Sequence, residues 1–147
     1  NITVVSRNRF QQMVDNNQIE EGTAIISIHE PRNRIITGAY SEAWPKILED
    51  SDLVLNLWFN DTEEDVPEVE AVLFDEDLAD KVEAFVEKNK DAKQWLLHCT
   101  AGVSRSGAIG GFVADYLGIN YLDFKRHNPR IVPNSLVSNL LTQRVLR

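Results

Sequence analysis

Residues 95–117 constrain the fold of this chain more than any other stretch. The apolar run 95–97 opens a short buried strand over 94–98. A loop of small residues follows. Then Ile109, Phe112, Val113, Tyr116 and Leu117 recur at helical spacing, which predicts a helix over 108–117. The unit is therefore strand, tight loop, helix. The only cysteine of the chain, Cys99, stands at the start of the loop and Arg105 at its end.

Each residue type in that loop points to the same chemistry. Gly102 admits φ > 0 and a close backbone approach. Successive N–H groups turned inward make a nest for an anion, which the start of a helix reinforces with its own unpaired N–H groups and positive dipole end. Arg105 can hold two oxygens of one phosphoryl group side by side, which a lysine cannot. Where this positive potential converges, the thiolate of Cys99 is the expected form. Such an assembly suits attack at phosphorus, with the sulfur as nucleophile and the loop holding the equatorial oxygens.

The run His98-Cys99-Thr100-Ala101-Gly102-Val103-Ser104-Arg105-Ser106-Gly107 resembles the active-site loop of the cysteine-dependent protein tyrosine phosphatases: His-Cys, five residues, Arg, then Ser or Thr. It looks most like the small dual-specificity branch. The resemblance covers roughly residues 54–141. It implies that Cys99 is the nucleophile, that Thr100, Ala101, Gly102, Val103, Ser104 and Arg105 bind phosphate, and that Ser106 eases departure of the sulfur. His98 would orient the loop and help hold the thiolate. The run Pro133-Asn134 resembles the segment whose asparagine braces the loop, making Asn134 a candidate brace. The family also carries a general acid on a loop after a strand. Asp61, in Phe59-Asn60-Asp61-Thr62-Glu63, is the first candidate. Asp65 is the alternative, its distance to Cys99 being nearer the family's usual spacing.

The remaining segments read as alternating strands and helices. Strands are expected over 2–5, 23–28 and 53–59. Helices are expected from Ser6 to about Val14, over 40–49 with a break at Pro45, and from the N-cap Asp75 to near Asn89. Two more are expected over 121–126 and from Pro133 to about Val145. Arg32 and Arg34 lie in a loop over 31–37 that could wall a substrate cleft. This alternation predicts an α/β fold, a three-layer sandwich around a mostly parallel sheet, and the 147 residues suit one domain over 1–147.

Composition narrows the partners. A net charge of −8 argues against a general nucleic-acid binder. No apolar run reaches the length of a membrane span, and no secretory signal is visible. One cysteine excludes an internal disulfide framework, so a cytoplasmic, reducing setting is expected. With His29 and His127 scattered, no metal or other cofactor is expected. The expected partner is a phosphorylated protein or a small phosphomonoester. No motif of a deep phosphotyrosine slot is present, so phosphoserine and phosphothreonine would also be admitted. Ala101 and Val103 stand where lysines mark the phosphoinositide and RNA branches, so a polyphosphorylated substrate is disfavoured. The expected activity is phosphomonoester hydrolysis; the alternative is a phosphate-binding module without turnover.

Overall fold

The short β-branched and aromatic runs become strands, and the longer amphipathic ones wrap them. A computed structural model describes residues 1–31, 48–62 and 72–145. In chain order these form β1 (Ile2–Ser6), α1 (Arg7–Asp15), β2 (Ala24–His29), β3 (Val54–Trp58), α2 (Glu76–Lys88), β4 (Trp95–Cys99), α3 (Arg105–Tyr116), α4 (Tyr121–His127) and α5 (Ser135–Val145). The strands make one sheet in the order β1-β4-β2-β3, every pair parallel. The sheet was expected to be mostly parallel; among the described residues its four strands are all parallel.

Alternation along each strand sorts two cores. Ile26, Ile28, Leu57, Trp95 and Leu97 face α2, α3 and α5 in the larger core, while Ile25 and Leu96 meet Phe10 of α1 on the opposite face. This is the expected three-layer α/β sandwich. Burying each such aliphatic side chain contributes about 1.5–3 kcal/mol. Gly110 of α3 brings the helix close to α4, since a Cβ there would lie 2.9 Å from the Phe124 ring. Arg144 fastens α5 to α2 through Glu76, Asp80 and Glu83 at 2.7, 2.7 and 2.8 Å. On the exposed edge of β1, Asn128 replaces a missing strand: its Oδ1 accepts from Val4 N and its Nδ2 donates to Ile2 O, both at 2.8 Å.

Several boundaries differ from expectation. The helix expected over 108–117 begins at Arg105, because its first turn is built of Ser106 and Gly107, which carry no apolar periodicity. The last helix starts at Ser135, two residues after Pro133, with Asn134 Oδ1 accepting from Val137 N as its cap. Strand β4 runs through Cys99, so the sulfur hangs from the last residue of a strand. Of the expected helix over 40–49, only Leu48 and Glu49 are described, and they are not helical; Arg32, Arg34 and Asp65 lie outside the described residues. Among the described residues no helix is long and apolar enough to cross a membrane.

Candidate active site

A parallel sheet gathers its strand ends on one edge, where the connecting loops converge. Here that edge holds Cys99 at the end of β4, Glu30 just beyond β2, and Phe59 to Asp61 just beyond β3. The loop from Thr100 to Ser104 folds over it. Gly102 has φ +74°, and a Cβ there would stand 2.5 Å from Val5 C and 2.6 Å from Ser6 N, so only glycine fits the approach of the loop to β1.

Three of the loop's carbonyls are held by neighbouring segments. Thr100 O accepts from Arg7 N at 3.1 Å, Val103 O from Val132 N at 2.9 Å, and Ser104 O from Asn134 N at 3.0 Å. Among the described residues, the N–H groups of Ala101, Gly102, Val103 and Ser104 donate to no protein acceptor. The start of α3 follows directly at Arg105, and successive unpaired N–H groups ahead of a helix start are the elements from which an anion nest is made.

Cys99 is 2% exposed, and its Sγ shares a 3.0 Å hydrogen bond with Ser106 Oγ. Arg105 is 3% exposed and anchored from three directions. Nη1 donates to Phe59 O at 2.9 Å. Nη2 donates to Thr100 Oγ1 at 3.0 Å and to Glu30 Oε1 at 2.5 Å. The same Glu30 oxygen accepts from Thr100 Oγ1 at 2.9 Å. Among the described residues, Arg105 Nε is buried without a hydrogen-bond partner.

Asp61 stands at the rim. Its Oδ1 accepts from Ser104 Oγ at 2.8 Å and from Asn134 Nδ2 at 2.9 Å. The sequence candidates thus fall into three hydrogen-bonded groups on this edge: Cys99 with Ser106, Arg105 with Thr100, Glu30 and Phe59, and Asp61 with Ser104 and Asn134.

No protein-family model matches the chain, and no curated protein sequence does. Solved structures do. The PTP-2 phosphatase of Cydia pomonella shares 18% identity at a TM-score of 0.56, over 97% of this chain and 84% of that one. Tk-PTP in its active form shares 17% identity at 0.54, over 99% and 90%. A human tyrosine phosphatase-like serine/threonine/tyrosine-interacting protein shares 14% identity at 0.54, over 97% and 89%. The chain has the fold of the cysteine-dependent protein tyrosine phosphatases.

Within this phosphatase fold, His98 lies beneath the loop, fully buried and stacked on Phe10 with ring centroids 4.2 Å apart. Nδ1 lies 3.3 Å from the carbonyl of Cys99, so Nδ1 carries the hydrogen, and Nε2 accepts from the Ser27 hydroxyl. Burial, with the nearby charges of His29, Arg7 and Arg105, pushes its pKa down to about 3. The ring is therefore neutral near pH 7. It holds the backbone of Cys99 and lends no charge to the sulfur.

Sequence reasoning did not single out Glu30, Ser27 or Asn128. Glu30 carried one usable signal: a carboxylate immediately after a buried strand falls on the edge where sites of parallel sheets form. Ser27 pairs with His98 through register alone, its Cα standing opposite that of His98 across β2 and β4.

Proposed function

We propose that the chain is a phosphomonoester hydrolase of the protein tyrosine or dual-specificity type, working through a phosphocysteine intermediate. The observation that carries this is the donor set around Cys99. Among the described residues, four loop N–H groups and Arg105 Nε have no protein acceptor, and they belong to the loop that leaves Cys99, whose sulfur is hydrogen-bonded to Ser106. Three equatorial phosphoryl oxygens suit that set.

In the first step the Cys99 thiolate bonds to phosphorus as the P–O bond to the leaving group breaks. Asp61 gives its proton to the departing oxygen. In the second, water attacks phosphorus and passes a proton to Asp61. The S–P bond breaks and the thiolate returns, stabilised by the Ser106 hydroxyl. Arg105 and the loop amides hold the same oxygens throughout, so no charge has to be moved into place during the reaction. The substrate is a phosphorylated protein or a small phosphomonoester, with phosphoserine and phosphothreonine admitted beside phosphotyrosine. No cofactor is required, so turnover is expected to survive EDTA.

The fold also serves a protein described as phosphatase-like and interacting, so turnover rests on Cys99 and Asp61 rather than on architecture. The test is hydrolysis of 4-nitrophenyl phosphate. Cys99→Ser is expected to abolish turnover while retaining phosphate binding by calorimetry; activity close to wild type in that variant refutes the mechanism. Asp61→Asn is expected to slow the reaction about 10²-fold or more, the usual worth of a general acid. Phosphate binding by a wild-type protein without turnover would leave a binding module instead.

A further inference from the structure

Asn134 is where the acid segment, the phosphate loop and α5 meet. It is 1% exposed. Its N–H donates to Ser104 O at 3.0 Å. Its Nδ2 donates to Asp61 Oδ1 at 2.9 Å and to Thr62 O at 3.3 Å. Its Oδ1 accepts from Val137 N at 3.1 Å. That last bond fixes the amide: turned over, Nδ2 would face an N–H and Oδ1 would face the two acceptors. Ser104 Oγ supplies a second donor to the same Asp61 oxygen at 2.8 Å.

We infer that Asn134 is a positioning residue for the general acid: with Ser104 it saturates Oδ1 of Asp61 and leaves Oδ2 as the oxygen that carries and delivers the proton. The inference rests on the reading of Asp61 as that acid. A neutral carboxyl has one hydroxyl and one carbonyl-type oxygen, and donors gather on the latter. A proton on Oδ1 would break at least one of its two bonds, whereas a proton on Oδ2 keeps both. The carboxyl is thereby pinned in rotation as well as protonated at a defined atom. Because the backbone of Asn134 is bonded to Ser104, the acid also keeps its register with the loop that holds the phosphoryl group, which is the positional control that proton transfer demands.

Asn134→Ser tests this. Serine can still cap α5, yet it is too short to reach Asp61. We measure kcat/KM, which reports departure of the leaving group, on 4-nitrophenyl phosphate and on phenyl phosphate. Wild type, Asn134→Ser, Asp61→Asn and the double variant are compared. A poor leaving group needs its proton most. The expected result is a loss of about tenfold on phenyl phosphate, part of the 10²-fold or more that a general acid supplies, and a clearly smaller loss on 4-nitrophenyl phosphate. The double variant is expected to be no slower than Asp61→Asn alone.

Equal losses on both substrates, or an additive loss in the double variant, would overturn the inference and leave Asn134 a structural brace. Undiminished kcat/KM in Asp61→Asn would remove the acid reading, and this inference with it. A slow Asp61→Asn joined to an additive Asn134→Ser would remove this inference alone. Should Asn134→Ser not fold, Ser104→Ala removes the other donor on Oδ1, and the same two comparisons decide.

Discussion

Mild acid should act on this protein through His98. The ring is enclosed by Phe10, the Ser27 hydroxyl and the Cys99 carbonyl. Burial is the largest cause of its lowered pKa, and the charges of His29, Arg7 and Arg105 push the same way. The bond to the Cys99 carbonyl opposes them without prevailing, and the value falls from 6.5 to about 3. The unfolded chain therefore takes up this proton before the folded one does. Stability from the neutral ring is complete above pH 6.5 and is lost as pH falls from there toward 3. About two units below 6.5, near pH 4.5, the loss from this one group is about 2.7 kcal/mol, at about 1.36 kcal/mol per unit. His29, also lowered chiefly by burial, acts in the same direction. Carboxylates titrate in the same window, so the measurement is a difference. Urea unfolding of wild type and His98→Gln is followed by tryptophan fluorescence, to which the buried Trp95 contributes, near pH 7.5 and near pH 4.5. At the higher pH the variant is expected to be less stable by about 1–3 kcal/mol, because Ser27 loses its buried partner. At the lower pH that deficit is expected to shrink or reverse by about 2.7 kcal/mol. A deficit unchanged between the two conditions refutes the assignment of a neutral, buried His98.

Gly102→Ala forces a Cβ to within 2.5 Å of Val5 C at a φ of +74°. It is expected to destabilise by at least about 2 kcal/mol and to remove phosphate binding, read by calorimetry; normal binding would show that the loop does not need its close approach to β1. Glu30→Gln keeps the shape of the side chain but leaves the buried Arg105 charge unpaired. Phosphate should then raise the Tm of the variant by more than it raises that of wild type, since the anion replaces the lost partner. Equal shifts would mean that Arg105 does not feel the bound anion.

Local patterns were legible and cross-chain ones were not. The loop 98–107 is contiguous, so its spacing stands in the sequence, and the apolar periods on either side place it between strand and helix. Asp75 was readable as an N-cap because its oxygen meets Leu78 N, a bond three residues away. The start of α3 was misplaced by three residues because Arg105, Ser106 and Gly107 carry no apolar period even though they are helical. Glu30 reaches Arg105 across 75 positions, and Ser27 reaches His98 across 71. Such pairs exist only once strand order and register are known, and no spacing rule announces them. Asn134 was visible as a brace only through resemblance; its bond to Asp61 depends on how the segment after β3 lies against α5.

An acidic chain with two carboxylates at the mouth of its site would be expected to repel a phosphoryl dianion. Both carboxylates are engaged. Glu30 Oε1 is held by Arg105 and Thr100, and Asp61 Oδ1 by Ser104 and Asn134. The charges of Arg105 and Glu30 cancel, and the protein as a whole carries −8. On the proposed reading, attraction for the substrate therefore comes from N–H dipoles of the loop and of the α3 terminus rather than from net positive charge. Fixed dipoles act only within a few ångströms and only in register with the oxygens they meet, whereas surface charge would gather any polyanion. The acidic body repels such polyanions at a distance. Selection thus falls to the fit of one phosphoryl group inside a ring of amides, which favours a lone phosphomonoester over a chain of phosphates.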